Sequence, residues 1–373
     1  MPIEIREVMN KSELNKFIYL AEKIHKDHKN WVHPIFSDEK RIFDKTRNAA
    51  NRYCDSIYLL AWENGKPIGR ITGIINKRLN EKNNTRIARF GFLEVPDRID
   101  VTSALLGKIE EWAKEKGMEK IVGPMGWTEE DPEGFQIEGF DETPNLSVYQ
   151  NLPFLLDHMA QLGYTKENDY FVYKVNIKDA ITDLYKKVYQ RVKRNPDLIL
   201  LEFKNKKELS KYILPIFHLM NECFTDLYGY SPLDEKEMEE LASRYLPVVS
   251  TKFVKAAINS KNEVIGFVIG IPNISPGIRK AKGRLTPWGI YHILRAQAKS
   301  RKLDVYIGAI RPDYRNKGVD VLMGFRMLET ALESGFEILD SHHEMELNTQ
   351  MRAEMERVGG QIYKKYRIYQ KNL

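Results

Sequence analysis

Two stretches carry most of the side chains that could do chemistry. Residues 337–347 read EILDSHHEMEL, and strand alternation would put Asp340, His342, Glu344 and Glu346 on one face. Carboxylates on a core strand are costly unless paired, and clustered titratable groups in a cleft are where ionisation shifts. The set suits proton transfer, with Glu344 and His342 first and Glu346 beside them. The other stretch, Arg315-Asn316-Lys317-Gly318, follows an apolar alternation (Val305, Ile307, Ala309) and a Pro312-Asp313 turn, and precedes a new apolar-periodic run. Strand, basic glycine turn and helix start together aim backbone N–H groups at a phosphate. Gly318 permits close backbone approach, while Arg315 and Lys317 add positive charge. The plainer readings are an exposed edge segment for the first stretch and a capped surface turn for the second.

The second stretch resembles the acyl-CoA-binding motif of the GNAT superfamily of N-acyltransferases. In that motif a strand ends in an apolar residue and Pro, and R/Q-x-x-G-x-G/A opens a helix. Here Ile310, Pro312 and Arg315-Asn316-Lys317-Gly318-Val319-Asp320 take those places, with Asp320 where Gly or Ala is usual. The resemblance implies acyl-CoA or acetyl-CoA as co-substrate and direct attack by a primary amine. It implies a backbone N–H near Ile310 that polarises the thioester carbonyl. Asn348 matches the asparagine that opens the next helix in many members and contacts the pantetheine arm; read alone it is equally an N-cap. The family's tyrosine acid has no counterpart, and Met355 and Glu356 stand in its neighbourhood.

The elements that must position these residues are written twice. Residues 7–18 (EVMNKSELNKFI) and 202–213 (EFKNKKELSKYI) share seven of twelve positions at a separation of 195. The hairpin pattern of 57–75 returns at 253–271, with Gly69-x-x-x-Gly73 against Gly266-x-x-x-Gly270. Pro96-Asp97 parallels Pro312-Asp313, and Met159-x-x-x-Gly163 parallels Met355-x-x-x-Gly359. Each copy reads strand, helix, hairpin, strand, turn, helix, strand, helix, closing hairpin. That order gives an α/β fold, a mixed and mostly antiparallel sheet flanked by helices, and it is also the order of the GNAT fold. The expected division is 1–177, a connecting helix with its apolar positions at Leu184, Val188 and Val192 in 178–196, and 197–373.

The first copy's turn, Pro96-Asp97-Arg98, has no glycine, which leaves the second copy as the donor site. In its place the first copy carries a long acidic and aromatic connection over 123–155, with GPM, GFD and Y-x-N-x-P-F elements that resemble a bacterial subset of tandem GNAT-like proteins. Long ordered connections are uncommon unless functional. Trp127, Phe140, Asp141 and Tyr149 are its candidate acceptor-binding residues, and Glu129–Glu133 read as a solvated acidic run. The second copy's own insertion, 272–302, holds Arg279, Lys280, Lys282, Arg284, Trp288, Tyr291 and Arg295. It reads first as a helix packed on its own sheet, and second as a membrane-surface segment.

Composition sets limits on these readings. Hydrophobic residues make up 42% and charged ones 29%, which describes a globular chain. No apolar run has the length of a membrane span, no signal-peptide core opens the chain, and a cytoplasmic location is expected. Cys54 and Cys223 lack metal or redox spacing. His25, His28 and His33 read as a surface helix end, so no metal is expected. A net charge of +6 with scattered basic residues and no nucleic-acid motif argues against nucleic acid as partner. The reading is an N-acyltransferase that moves an acetyl or longer group from acyl-CoA to a primary amine near the cleft between the copies. The competing reading is a non-catalytic GNAT-fold module for CoA, a metabolite or a protein. A lipid amine acylated at the membrane surface is a third.

Overall fold

The computed structural model describes residues 2–128, 131–145, 148–246 and 249–373. Glu129 and Glu130 of the acidic run lie outside the described residues. The first copy runs β1 (Glu4–Glu7), α1 (Lys11–Ile24), α2 (Phe36–Ile42), β2 (Cys54–Glu63), β3 (Lys66–Asn76), α3 (Lys77–Asn83) and β4 (Ile87–Glu94). It continues with α4 (Ile99–Glu115), β5 (Lys120–Gly123), β6 (Phe135–Glu138), α5 (Phe154–Gln161) and β7 (Thr165–Asn176). Two short helices follow, α6 (Ile177–Ala180) and α7 (Asp183–Val192). The second copy runs β8 (Ile199–Glu202), α8 (Lys206–Phe224), α9 (Glu235–Tyr245), β9 (Val254–Ile258), β10 (Val264–Pro272), α10 (Ser275–Ala281) and α11 (Pro287–Lys299). It closes with β11 (Lys302–Ile310), α12 (Val319–Glu333), β12 (Ile338–Ser341), β13 (Glu344–Met345), α13 (Thr349–Arg357) and β14 (Gln361–Asn372).

The chain forms two compact units, and they are not its two sequence halves. Unit 1 comprises Met1–Phe171, Ile274–Ala296 and Lys364–Leu373; unit 2 comprises Val172–Asn273 and Gln297–Tyr363. Unit 1 orders its strands β1-β2-β3-β4-β5 and then residues 364–372 of β14. Unit 2 orders its strands β8-β9-β10-β11-β12 and then residues 172–176 of β7. In both units the first four strands pair antiparallel, the fourth and fifth pair parallel, and the sixth returns antiparallel. The strand orders match position for position, so the repeat is a repeat of fold. Each unit therefore takes its sixth strand from the other copy.

Alternation along β2 shows how the sheet of unit 1 becomes a core. Tyr58, Leu60 and Trp62 face one side with Phe17 and Ile18 of α1 and Phe43, while Leu59 and Ala61 face Val101, Leu105 and Ile109 of α4. Both faces are covered, which is why the strand reads as an unbroken apolar run. In unit 2, Val254 and Ala256 face Leu209, Ile216 and Leu219 of α8, and Ala257 faces Leu322 and Phe325 of α12.

Two sequence expectations change. In α7, Leu184 and Val188 are exposed, and the packed residues are Tyr185, Tyr189 and Val192, with Tyr189 stacked on Phe325 at 4.4 Å. Two tyrosines bury more area than the spacing-four aliphatics, so the helix turns them inward. The insertion 272–302 does not pack on its own copy's sheet. Its span Ile274–Ala296 belongs to unit 1, where the Phe36 N–H donates to the Gly283 carbonyl at 3.0 Å, Ser275 Oγ to Pro144 O at 3.0 Å, and Arg284 pairs with Glu22 at 2.9 Å.

Candidate active site

In unit 2 the parallel strands come apart. β11 and β12 pair from Lys302 opposite Ile338 to Val305 opposite Ser341, and the His342 N–H donates to Val305 O at 3.2 Å. β12 stops there, while β11 continues to Ile310 with a ladder partner in β10 alone among the described residues. The wedge this leaves is partly open, since residues 306–310 are half-buried and Gly308 is exposed. Its other wall carries His342, edge-on to Tyr306 at 5.2 Å, and then Glu344 on β13.

The polar row expected over Asp340, His342, Glu344 and Glu346 is therefore broken. Where β11 diverges, residues 342–343 leave the strand and interrupt the alternation. Asp340 is fully buried and does not join the others. It pairs with Lys302 and accepts from the Tyr363 hydroxyl, while Lys302 Nζ lies 3.1 Å from that same hydroxyl. Glu346 is half-buried, and its carbonyl accepts from Arg352 Nη1 at 3.1 Å. Asn348 caps α13 by accepting from the Met351 N–H at 3.2 Å.

Glu344 stands out by its ionisation. Burial pushes its carboxyl up to about 8, with the Glu354 charge on α13 adding to the shift. Glu354 is itself pushed up to about 7 by burial and then by Asp320, against the pull of Arg357. Glu344 thus holds or releases a proton near neutrality, which suits general acid–base work.

The turn from β11 into α12 gathers hydrogen-bond donors. Asn316 (φ 60°) and Gly318 (φ 88°) are both left-handed, and Gly318 caps α12. The N–H groups that open a helix have no intrahelical partner, and such turns cluster them toward a common point. Arg315, Asn316 and Lys317 are exposed. Arg315 Nε donates to Ile310 O at 3.3 Å, Lys317 Nζ sits 5.1 Å from the Tyr314 ring, and the Gln350 amide donates to Asn316 Oδ1 at 3.4 Å. Val319 is buried in the core. Asp320, at the position where repulsion of a phosphate would arise, has Arg357 at 3.8 Å to offset it. The donor set fits a pyrophosphate.

Unit 1 shows the same strand geometry with the wedge filled. β4 and β5 pair over Ile87–Arg89 and Lys120–Val122, and then the connection after β5 packs into the gap. A Cβ on Gly91 would fall 2.4 Å from the Met125 carbonyl oxygen. Trp127 is fully buried among Phe43, Tyr58 and Phe92, and buried Tyr149 donates to Leu93 O at 2.7 Å. Of the four acceptor candidates, these two serve as core. Phe140 is half-buried, with its carbonyl accepting from Asn30 Nδ2 at 3.2 Å, and Asp141 is exposed. Asp131, expected in a solvated run, is buried and accepts from the Trp127 and Thr128 N–H groups at 2.9 and 3.1 Å. Burial pushes Glu133 up to about 7.

One charged cluster in unit 1 was not foreseen. His25 is buried at the end of α1, with Nε2 2.7 Å from Glu94 Oε2 and Nδ1 3.0 Å from His28 Nδ1. Trp31 stacks on it at 4.9 Å, and burial depresses His28 to about 4. Buried Arg70 lies 3.5 Å from Glu39 and 3.8 Å from Glu94, and donates to Phe17 O at 2.9 Å. The spacing of Phe17, Ala21 and His25 by four was the available signal, since it puts His25 on the buried face of α1. These histidines are not a surface helix end.

Residues 21–126 match the Acetyltransferase (GNAT) family. The whole chain superposes on a tandem GNAT protein from the clavulanic acid biosynthesis pathway with a TM-score of 0.56 at 11% identity, covering 100% of this chain and 98% of that one. The fold is that of a tandem GNAT protein. A GCN5-related N-acetyltransferase from Sphaerobacter thermophilus gives a TM-score of 0.53 at 10% identity, over 99% of this chain and 95% of that one. In sequence it is 26% identical to Protein YghO of Escherichia coli, over 99% of this chain and 95% of that protein. It is 24% identical to the Bacterial ceramide synthase of Caulobacter vibrioides, over 100% and 98%. At a coarse level, then, the chain groups with acyltransferases, and the GNAT family that residues 21–126 match uses acyl-CoA. Among the described residues no group of three or more His, Cys, Asp and Glu could hold a metal, and no helix is long and apolar enough to cross a membrane.

Proposed function

We propose that the protein transfers an acyl group from acyl-CoA to a primary amine, with the donor held by unit 2. The observation that carries this is the open wedge of β11 and β12 ending in the left-handed turn Asn316–Gly318 at the start of α12. Arg315, Lys317 and the N–H groups of 318–320 bind the phosphates, and the thioester lies along the free edge of β11 near Ile310. The amine nitrogen attacks the carbonyl carbon, the C–S bond breaks, and the electron pair leaves on sulfur. Glu344 takes the amine's proton and returns it to the thiolate, so protons balance. Asn348 and Asp320 shape the α12–α13 side of the site. His342 and Glu346 flank Glu344.

The full-length similarity to a protein named as a ceramide synthase favours a long-chain lipid amine, such as a sphingoid base, as acceptor. The test is a thermal-shift titration with CoA, acetyl-CoA and a long-chain acyl-CoA, followed by free-thiol release with short amines and with a sphingoid base. Stabilisation that grows with acyl length, together with turnover on the sphingoid base, supports the reading. Stabilisation without turnover on any amine favours the non-catalytic module. No stabilisation at millimolar ligand ends the donor-site assignment.

A further inference from the structure

We infer that the outward face of α11, with the basic turn before it, docks on the surface of an anionic phospholipid bilayer. This rests on α10 and α11 alone and stands whether or not the transfer reaction proposed above is right.

The helix is apolar on two opposite faces. Inward, His292, Ile293 and Ala296 lie against Gly277 of α10. Outward, Trp288, Tyr291 and Leu294 recur one turn apart, and Leu285 and Ile290 adjoin them. Their exposures are 69%, 45%, 57%, 48% and 44% respectively. The Trp288 and Tyr291 rings stack at 5.2 Å and 20°, so they present one flat aromatic surface. A contiguous patch of this kind marks a contact site, whereas single exposed aliphatics do not.

Charge selects the partner. Between Glu263 and Asp304 there is no acidic residue, and those 40 positions hold eight Lys and Arg. Arg284 is engaged by Glu22. Arg279, Lys280, Lys282 and Arg295 are exposed, and among the described residues only Lys282 of these has a carboxylate, Glu22, acting on it. A second copy of the chain would bring the same cations face to face, which opposes self-association here. Aromatic rings with Leu at their centre and Lys and Arg at their rim match the two components of an interface: acyl chains beneath, anionic headgroups around. One short patch with a few cations gives weak, reversible, salt-sensitive binding.

The experiment is co-sedimentation of the full chain with phosphatidylcholine vesicles and with vesicles containing phosphatidylglycerol. The expected result is pelleting with the anionic vesicles at low salt, reduced at least tenfold at half-molar salt, and little with neutral ones. Brominated acyl chains should quench tryptophan emission in the bound protein. Trp288→Ala with Leu294→Ala, and separately Lys280→Glu with Lys282→Glu, should each weaken partitioning about tenfold or more. All four side chains are exposed, so melting temperatures should stay unchanged and keep the comparison clean. Absence of binding to anionic vesicles, or binding that neither pair alters, overturns the assignment. A dimer in light scattering that Leu294→Ala dissolves, without vesicle binding, overturns it in favour of a second copy.

Discussion

Glu344 is the side chain on which the proposed chemistry can be checked most directly. Glu344→Gln should lower turnover by about 10²–10⁴ and remove a limb of the rate–pH profile with a midpoint near 8, the value to which burial and Glu354 push the group. The same shift has a stability consequence. The unfolded chain releases this proton near 4.5 and the folded chain near 8, so between those pH values the folded state binds more protons. Stability should therefore fall as pH rises through that window. Glu344→Gln should melt higher than the parent at pH 9, by on the order of 2–4 kcal/mol, and differ little at pH 4. Arg315→Ala with Lys317→Ala should leave the melting temperature of the free protein unchanged, since both are exposed, but abolish stabilisation by CoA. The sequence disclosed the left-handed turn into α12 through its spacing and the raised ionisation of Glu344 through its acidic neighbours. It concealed His25, because a histidine at a helix end reads as exposed until the Arg70–Glu94 pair on distant strands is known to meet it. It also misplaced Asp340, because the divergence of β11 from β12 is a tertiary event with no local mark.

Backbone geometry makes a separate, binding-independent claim at the turn into α12. Gly318 sits at φ 88°, and a Cβ there would fall 2.7 Å from Val192 Cγ2 of α7. Gly318→Ala should cost about 1–3 kcal/mol, from left-handed strain together with the clash. Adding Val192→Ala should recover the clash component and leave the strain, so the pair should couple in a double-mutant cycle followed by chemical denaturation. Helix faces were harder to foresee than helix existence. The four-residue spacing of Leu184, Val188 and Val192 is a sound amphipathic signal, yet Phe325 on α12 offers an aromatic partner that draws Tyr189 inward instead. Pattern counts cannot see which partner a face will find. The strands fared better, because alternation and hairpin turns are local, and the β2–β3 and β9–β10 pairings follow from them.

Across the chain, the decisive feature is that residues 364–372 complete unit 1 and residues 172–176 complete unit 2. Deleting 364–373 should unfold unit 1. It removes buried Tyr366, Ile368 and Tyr369 and the Arg367–Asp169 pair at 2.7 Å, and each large buried side chain is worth about 2–5 kcal/mol. Hydrogen exchange across β2–β5 would read the loss, and protection equal to that of the full chain would refute it. A sequence repeat reveals two copies of a fold but not which copy supplies which strand, since β7 and β14 match each other in either arrangement. The exchange also has a consequence in time. A ribosome delivers the first 171 residues and then must add about 190 more before residue 364 appears. At roughly 5–20 residues per second that is a wait of about 10–40 s. Throughout it, the edge of β5 has no sixth strand, so the nascent protein carries an unfinished sheet that only residues 364–372 can close.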